Sequence, residues 1–229
     1  DGRAIGVGFA AISLFYGYIH NVYSGLRIMA IHGEGLGHLR VNKAGWQEKG
    51  KLEPEKYMFS KDDTQKIIKL VMEENSVILV TPQIQVTGIV TNGIASTIFI
   101  AQGVVPKDDK TIKGGWASFL PVKGQTLNDE KRFGAEVAKD LARYLNFAPE
   151  KDGVVMATTL SGQMNAMDIQ VAGVYDSGSD FSNDKFMRFN FYFAQSLLDT
   201  QSAERIVVLL TDGKETEQMR VNLLRKLKA

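Results

Sequence analysis

The sequence is notable first for the chemistry it lacks. Its 229 residues include no cysteine and only three histidines, His20, His32 and His38. The missing cysteine excludes disulfide bonds, thiolate nucleophiles and cysteine-bound zinc or iron–sulfur sites. Basic and acidic side chains nearly balance, 27 against 26, and the net charge of +1 argues against nucleic acid as a partner.

Charge is also absent from residues 4–26, which are bracketed by Arg3 and Arg27. A helix of this length would reach roughly 35 Å, enough to cross the ~30 Å hydrocarbon layer of a bilayer. Its glycines suit close helix packing in lipid, and its tyrosines suit the headgroup region. We therefore expect a transmembrane helix, or its C-terminal part, at residues 1–27. The alternatives are a buried helix of a soluble fold or the remnant of a signal peptide.

Periodicity predicts the main elements of the first half. After a glycine-rich exit at 28–37, residues 38–41 alternate like a short strand. Ser60 and Asp63 form an acidic variant of a capping box, which predicts a helix from Ser60 to about Asn75. Asn92-Gly93 between two alternating runs, 78–91 and 96–105, predicts a hairpin. Pro82 indicates an edge position or a bulge.

The patterns in the second half of the chain predict two helices, a hairpin and a final strand–helix unit. Helices are expected at about 130–147 and 189–198, and a hairpin at 154–159 and 168–176. The apolar strand 205–211 should be buried on both faces, and a helix should follow at 215–228. This last unit lacks a returning strand, which predicts that the chain continues in its parent protein.

No group of residues forms a recognisable active site. The GEGLG loop lacks the G-x-G-x-x-G spacing of a nucleotide site, and Ser161 lies in LSGQ rather than in a nucleophile elbow. Two clusters of polar residues fit no metal-binding motif, and their patterns predict a solvated turn or a linker. Asp212 is predicted to cap the helix that follows it. The clusters are His32, Glu34 and His38, and Asp176, Asp180 and Asp184. We therefore predict no catalytic, cofactor-binding or metal-binding residues and no cofactor.

The order of segments resembles one known family. Gly134 to Leu141, Val171 to Tyr175, the loop acid at Asp180 or Asp184, Ala194 to Leu198 and Ile206 to Asp212 follow one another in the chain. Together with the glycine-rich N-terminal segment, they resemble the extracytoplasmic core domain of ABC transporter permeases. The family is the macrolide-exporter (MacB-like), lipoprotein-release and FtsX-like superfamily.

This resemblance implies an α+β fold with an N-terminal transmembrane helix. A porter-like α/β subdomain at 28–95 and 205–229 would carry an inserted β-rich subdomain at 96–204. The domain would lie on the periplasmic or extracellular side of the bacterial inner membrane, without catalysis of its own. It would couple the motion of an ATPase to export or release of a lipoprotein, lipid-like molecule or drug.

The resemblance also implies partners. They are an ABC ATPase subunit, a second permease in a homodimer or paralogous heterodimer, a periplasmic carrier or adaptor protein, and the membrane. No Walker sequence is present, so the ATPase would be a separate subunit or lie outside this chain. The hairpin at 161–167, where lipoprotein-release members engage a soluble carrier, contains no proline here. The alternative function is a membrane-anchored ligand-sensing or scaffold module, which would require a real pocket.

Overall fold

A computed structural model describes residues 2–50, 52–114, 121–178 and 180–227 as a mixed α+β fold. Nine strands and nine helices occur in these ranges. The helices are α1 (Gly2–Ile28), α2 (Trp46–Lys49), α3 (Pro54–Tyr57), α4 (Lys61–Met72), α5 (Pro106–Lys113), α6 (Lys139–Tyr144), α7 (Asp180–Asn183), α8 (Phe191–Leu197) and α9 (Thr216–Lys226). The strands are β1 (Leu39–Val41), β2 (Val77–Thr91), β3 (Ser96–Val104), β4 (Lys123–Gly124), β5 (Gly134–Ala138), β6 (Asp152–Thr158), β7 (Met164–Tyr175), β8 (Phe186–Asn190) and β9 (Arg205–Leu210). A π-helical turn, Met29–Gly33, follows α1.

Six strands close into a barrel. The ring runs β2–β3–β8–β5–β7–β6 and returns to β2, since β6 pairs with both β7 and β2. The barrel interior holds the larger apolar core, and α8 packs against it. Three phenylalanines meet edge to face there: ring centroids lie 5.6 Å apart between Phe99 and Phe189, and 5.3 Å apart between Phe189 and Phe193. Closure leaves the barrel without a long exposed edge.

A smaller three-stranded sheet, in the order β1–β9–β2, adjoins the barrel. Helices α4 and α9 cover one face of this sheet, around Val71, Val208 and Leu223. The π-helical turn and α5 cover the other face, through Ile31 and Ile112. Strand β9 is therefore buried on both faces, as its unbroken apolar run predicts.

Several sequence expectations are confirmed by these elements. Ser60 Oγ accepts a hydrogen bond from Asp63 N at 3.1 Å, and α4 begins at the next residue. Both hairpins form, β2–β3 and β6–β7. Over its first part β2 is paired with β9 alone, so Pro82 lies where no second ladder needs its missing N–H. Asp212 accepts from Lys214 N at 2.9 Å and caps the following turn.

The helix predicted at 130–147 is wrong over its first half. Residues 134–138 form β5, which pairs parallel with β7 and antiparallel with β8, and helix α6 covers only 139–144. All five β5 residues are buried. Pairing on both sides of a central strand outweighs the modest helical preference of this short, small-residue segment.

The expected transmembrane helix is not confirmed. A helix does form over Gly2–Ile28, and large apolar side chains such as Phe9 and Leu14 are exposed on it. Within the described ranges, however, no helix joins sufficient length to the hydropathy that a membrane crossing requires. The mean hydropathy of α1 is lowered by its glycines, its tyrosines and the pair His20-Asn21.

Candidate functional site: a buried ionic network at the N-terminal junction

Four charged side chains meet inside the protein where α5, β5 and β8 converge. Lys113 Nζ lies 2.7 Å from Asp109 Oδ2 and 3.4 Å from Glu136 Oε2. Arg188 Nη1 lies 3.9 Å from both of these carboxylates. The side chain of Glu136 is only 1% exposed and that of Lys113 only 3%, so water contributes little to their solvation. We call these four residues the buried ionic network.

The network holds the segment that follows α1. Arg188 Nη2 donates a hydrogen bond of 2.6 Å to the carbonyl of Gly33, the last residue of the π-helical turn. Two residues further on, Gln83 Nε2 donates to the carbonyl of Gly35 at 2.9 Å. Gln83 is in turn fixed by Gln102, whose Nε2 donates to Gln83 Oε1 at 2.7 Å. The backbone at 33–35 is therefore anchored to strands β2, β3 and β8 by buried, oriented donors.

Electrostatics favour the charged form of the arginine. Burial alone would lower the pKa of Arg188, but Asp109, Tyr175 and Glu136 more than offset it, and the pKa is raised. The guanidinium lies 5.1 Å from the centre of the Tyr175 ring, a cation–π arrangement. Burial raises the pKa of the Tyr175 phenol, which stays neutral. Removing one partner would leave a buried charge without compensation, so each member of the network depends on the others.

A second tie joins the end of α1 to the C-terminal part of the chain. Arg27 Nη2 donates to the carbonyl of Gly213 at 2.7 Å, in the turn between β9 and α9. The π-helical turn begins two residues after Arg27, at Met29, and Glu34 N donates to Met29 O at 2.9 Å. Single π-turns are rare and often mark functional sites. Both ends of this turn are thus bonded to the folded body.

A small cavity of about 220 Å³ lies between this N-terminal segment and the barrel. Met29, Glu34 and Leu36 line one side, and Tyr175 and Arg188 line the other. It is smaller than typical small-molecule sites, which measure about 300–1,000 Å³. Its position means that movement of the N-terminal segment would change its shape.

The two histidines considered as metal ligands are engaged otherwise. His32 Nδ1 donates to the carbonyl of Ile112 at 2.5 Å, and His38 Nδ1 accepts from Leu210 N at 3.1 Å. Their ring centroids are 6.5 Å apart. Across the ranges that the structure describes, no group of three or more His, Asp or Glu side chains could hold a metal ion.

The acidic loop considered for calcium is organised around Asp176. Its carboxylate accepts hydrogen bonds from Lys139 Nζ at 2.7 Å, Asn183 Nδ2 at 3.0 Å and Gly178 N at 2.9 Å. The bond from Lys139 contributes most to lowering the pKa of Asp176 to about 2. Asp184 instead pairs with Lys185 at 3.3 Å. The side chain of Asp180 lies outside what the structure describes.

Sequence reasoning missed the buried ionic network, although a signal for it exists. Glu136 and Arg188 are single charges inside short strand segments, GAEVA and FMRFN, in which Asn190 is the one other polar residue. A lone charge in such a run indicates a buried, paired group, since unpaired burial is too costly. Ser161, which the sequence does not place in a nucleophile elbow, lies in the β6–β7 turn. Its Oγ is 3.0 Å from Thr159 Oγ1.

No protein-family model matches the chain, and no curated protein sequence is significantly similar to it. Solved structures do resemble it. One is the periplasmic region of MacB from Actinobacillus actinomycetemcomitans, with a TM-score of 0.55 and 14% identity, covering 82% of this chain and 81% of that chain. Another is the extracellular domain of the noncanonic ABC-type transporter YknZ from Gram-positive bacteria, with a TM-score of 0.53 and 13% identity, covering 79% and 86%. These likenesses confirm the resemblance at the level of fold: the chain has the fold of the extracytoplasmic domains of MacB- and YknZ-type ABC transporters.

Proposed function

We propose that this chain is a non-catalytic extracytoplasmic domain of an ABC transporter permease. It passes the motion of a separate ATPase to the export or release of a lipoprotein, a lipid-like molecule or a drug. Its partners would be the ATPase, a second permease in a homodimer or paralogous heterodimer, and a carrier or adaptor protein. The body would lie outside the bacterial cytoplasmic membrane, and α1 would connect it to the membrane part of the permease. The shared fold supports this proposal.

The single observation that carries the coupling role is the bond from Arg188 to the carbonyl of Gly33. Through it, the buried ionic network clamps the segment immediately after α1 to the barrel. A displacement of α1 would then move the barrel rather than be absorbed in a flexible linker. Interfaces and packed cores of this kind have discrete arrangements, which is what a coupling element requires.

We also propose the division of the body. Residues 28–95 and 205–229 would form the porter-like subdomain, and residues 96–204 the β-rich insert. The separate apolar clusters, one beneath α4 and α9 and one inside the barrel, support two parts. The second half of β2, residues 84–91, belongs by sequence to the first part but pairs within the barrel, so β2 would join the two parts as a continuous strand.

The test uses the protein in the membrane of its native host, with an affinity tag on the full parent chain. We expect an ABC ATPase to co-purify and its turnover to depend on the parent chain. Arg188→Gln should lower transport per ATP hydrolysed, since it weakens the clamp. Arg143→Gln is the matched control, because Arg143 is exposed and its ion pair, with Asp140, lies within the same helix. Absence of any co-purifying ATPase would refute the proposal.

The alternative, a membrane-anchored ligand-sensing or scaffold module, predicts a different outcome. Such a module would not alter the turnover of an ATPase, and its junction variants would leave transport unchanged.

A further inference from the structure

An apolar groove runs along β1, the outermost strand of the three-stranded sheet. It measures about 630 Å³ and has apolar side chains on its floor and walls: Leu39, Val41, Ile67, Leu223, Leu224 and Leu227. Helix α4 contributes Ile67 to this lining, and α9 contributes Leu223 and Leu224. Leu224 is 46% exposed and Leu227 37% exposed, although both face this apolar lining. An open apolar surface of this size typically marks a binding site.

Strand β1 also offers a free edge. It pairs with β9 on one side, and in the described part of the chain no strand pairs with its other side. Its side chains alternate, with Leu39 and Val41 packed beneath the helices and Arg40 exposed. A strand added at this edge would continue that alternation, with one apolar face in the groove and one face beside Arg40. Addition to a free edge is a recurrent mode of peptide recognition.

The charges around the groove select the chemistry of such a strand. Arg40, Lys43, Lys66 and Arg220 line it, against one carboxylate, Asp63. Arg220 is engaged by Glu217, at 2.6 Å. In the ranges described, no carboxylate lies within ion-pair distance of the other three cations; Lys43 Nζ instead donates to the carbonyl of Met58 at 3.4 Å. An acidic partner would therefore find cations that are not already neutralised.

We infer that the β1 groove binds an extended segment of a partner protein, with apolar and acidic side chains in alternation, as an added strand on β1. The apolar residues would fill the space between Ile67 and Leu224. The carboxylates would lie on the opposite face of the added strand and pair with Arg40. An acyl-chain ligand or a second copy of this chain would use the same apolar surface but would not need the alternation.

The binding test uses the purified chain and a fluorescent eight-residue peptide of alternating Val and Glu, kept below the concentration at which it self-associates. Anisotropy should show saturable binding that weakens as salt is raised. A Val–Lys peptide of the same length should bind at least tenfold more weakly. Amide hydrogen exchange at residues 39–41 should slow when the Val–Glu peptide is bound, since the added strand protects the edge.

Variants distinguish binding in this groove from nonspecific electrostatic attraction to the protein surface. Arg40→Glu should weaken binding about tenfold, whereas Arg143→Glu, at an exposed position outside the groove, should change it far less. Leu224→Arg should block the groove, with circular dichroism verifying the fold. Equal loss in the two arginine variants, equal binding of both peptides, or oleate binding in the groove without peptide binding would overturn the inference.

Concentration-dependent dimerisation that Leu224→Arg abolishes would also overturn it, in favour of a second copy. None of these measurements involves an ATPase. Failure of peptide binding would therefore leave the transporter proposal standing, and failure of ATPase co-purification would leave the groove result standing.

Discussion

Single residues of the buried ionic network should dominate the stability of the junction. Glu136 accepts from Lys113 and from Leu127 N and is almost fully buried. Glu136→Gln preserves its shape but leaves two buried cations with one carboxylate. We expect a loss of about 3–5 kcal/mol in the free energy of unfolding, measured by urea denaturation.

The control for this variant is an exposed pair on α9. Glu217→Gln removes the partner of Arg220 at a solvated surface, where ion pairs contribute little. It should leave the urea midpoint unchanged. If both variants behave alike, burial of the network does not control stability.

His38 should make the protein less stable in mild acid. Its pKa is lowered, mainly by burial and further by Arg27 and His32. The folded state therefore binds fewer protons than the unfolded state, in which histidine titrates near 6.5. The stability that the neutral His38 ring contributes should be fully present above pH 6.5. It should be lost as the pH drops below that value, because a protonated ring cannot accept the hydrogen bond from Leu210 N.

The measurement is a series of urea transitions between pH 8 and pH 5. His38→Asn retains an acceptor but does not titrate, so its stability should vary less with pH than that of the wild type. A variant with an unchanged slope would show that the pH dependence has another origin.

Two residues of the buried ionic network lie in a segment where the sequence predicts solvent exposure. Asp109 and Lys113 lie in a charged, glycine-containing segment where solvent exposure is the ordinary expectation. Only the contacts of α5 with the turn after α1, and the convergence of β5 and β8, bury them together. Such convergence depends on pairings distant in sequence, which local patterns do not specify.

At the scale of elements, the exit from the π-helical turn depends on Gly37. Its φ is +63°, and a Cβ there would lie 2.5 Å from Val207 Cγ1 and 2.8 Å from Val208 O. Gly37→Ala would combine backbone strain with a clash against β9, and should cost about 2–4 kcal/mol in unfolding free energy. Thermal or urea denaturation would measure this.

Gly93 provides the matched substitution. Its φ is +87°, but nothing lies within 4 Å of an added Cβ in the β2–β3 turn. Gly93→Ala should cost only the left-handed conformation, about 1–2 kcal/mol. A larger loss at Gly93 than at Gly37 would contradict the packing argument.

Elements with a strong local signal were predictable, and those set by pairing were not. The cap at Ser60 and the Asn92-Gly93 turn each specify a boundary through nearby residues, and both elements form as expected. The error at 130–147 occurred where β5 is inserted between two strands distant in sequence. The transmembrane helix expected at residues 1–27 is not confirmed, because freedom from charge does not bring with it, in the described part of α1, the hydropathy that a membrane crossing requires.

At the scale of the whole molecule, β2 belongs to both the barrel and the smaller sheet, so the two should unfold together. Phe189 is fully buried against Phe99 and Phe193. Phe189→Ala should cost about 3–5 kcal/mol. Hydrogen exchange should then show a matching loss of protection in β9, which contacts β2 outside the barrel.

The control is Met219→Ala, which opens the smaller core beneath α9 instead. If the barrel and the smaller sheet unfold together, Met219→Ala should reduce the protection of backbone amides from hydrogen exchange in β8 as well as in β9. Protection that falls only on the mutated side would show two independently unfolding parts.

The fifteen residues of β2 have a mechanical consequence. At about 3.3 Å per residue, the strand spans roughly 50 Å of covalent chain without a joint. Load applied at one end of this rod travels through peptide bonds, which neither slip nor repack. A force applied to the smaller sheet would therefore reach the barrel through covalent bonds, without any repacking of side chains at an interface.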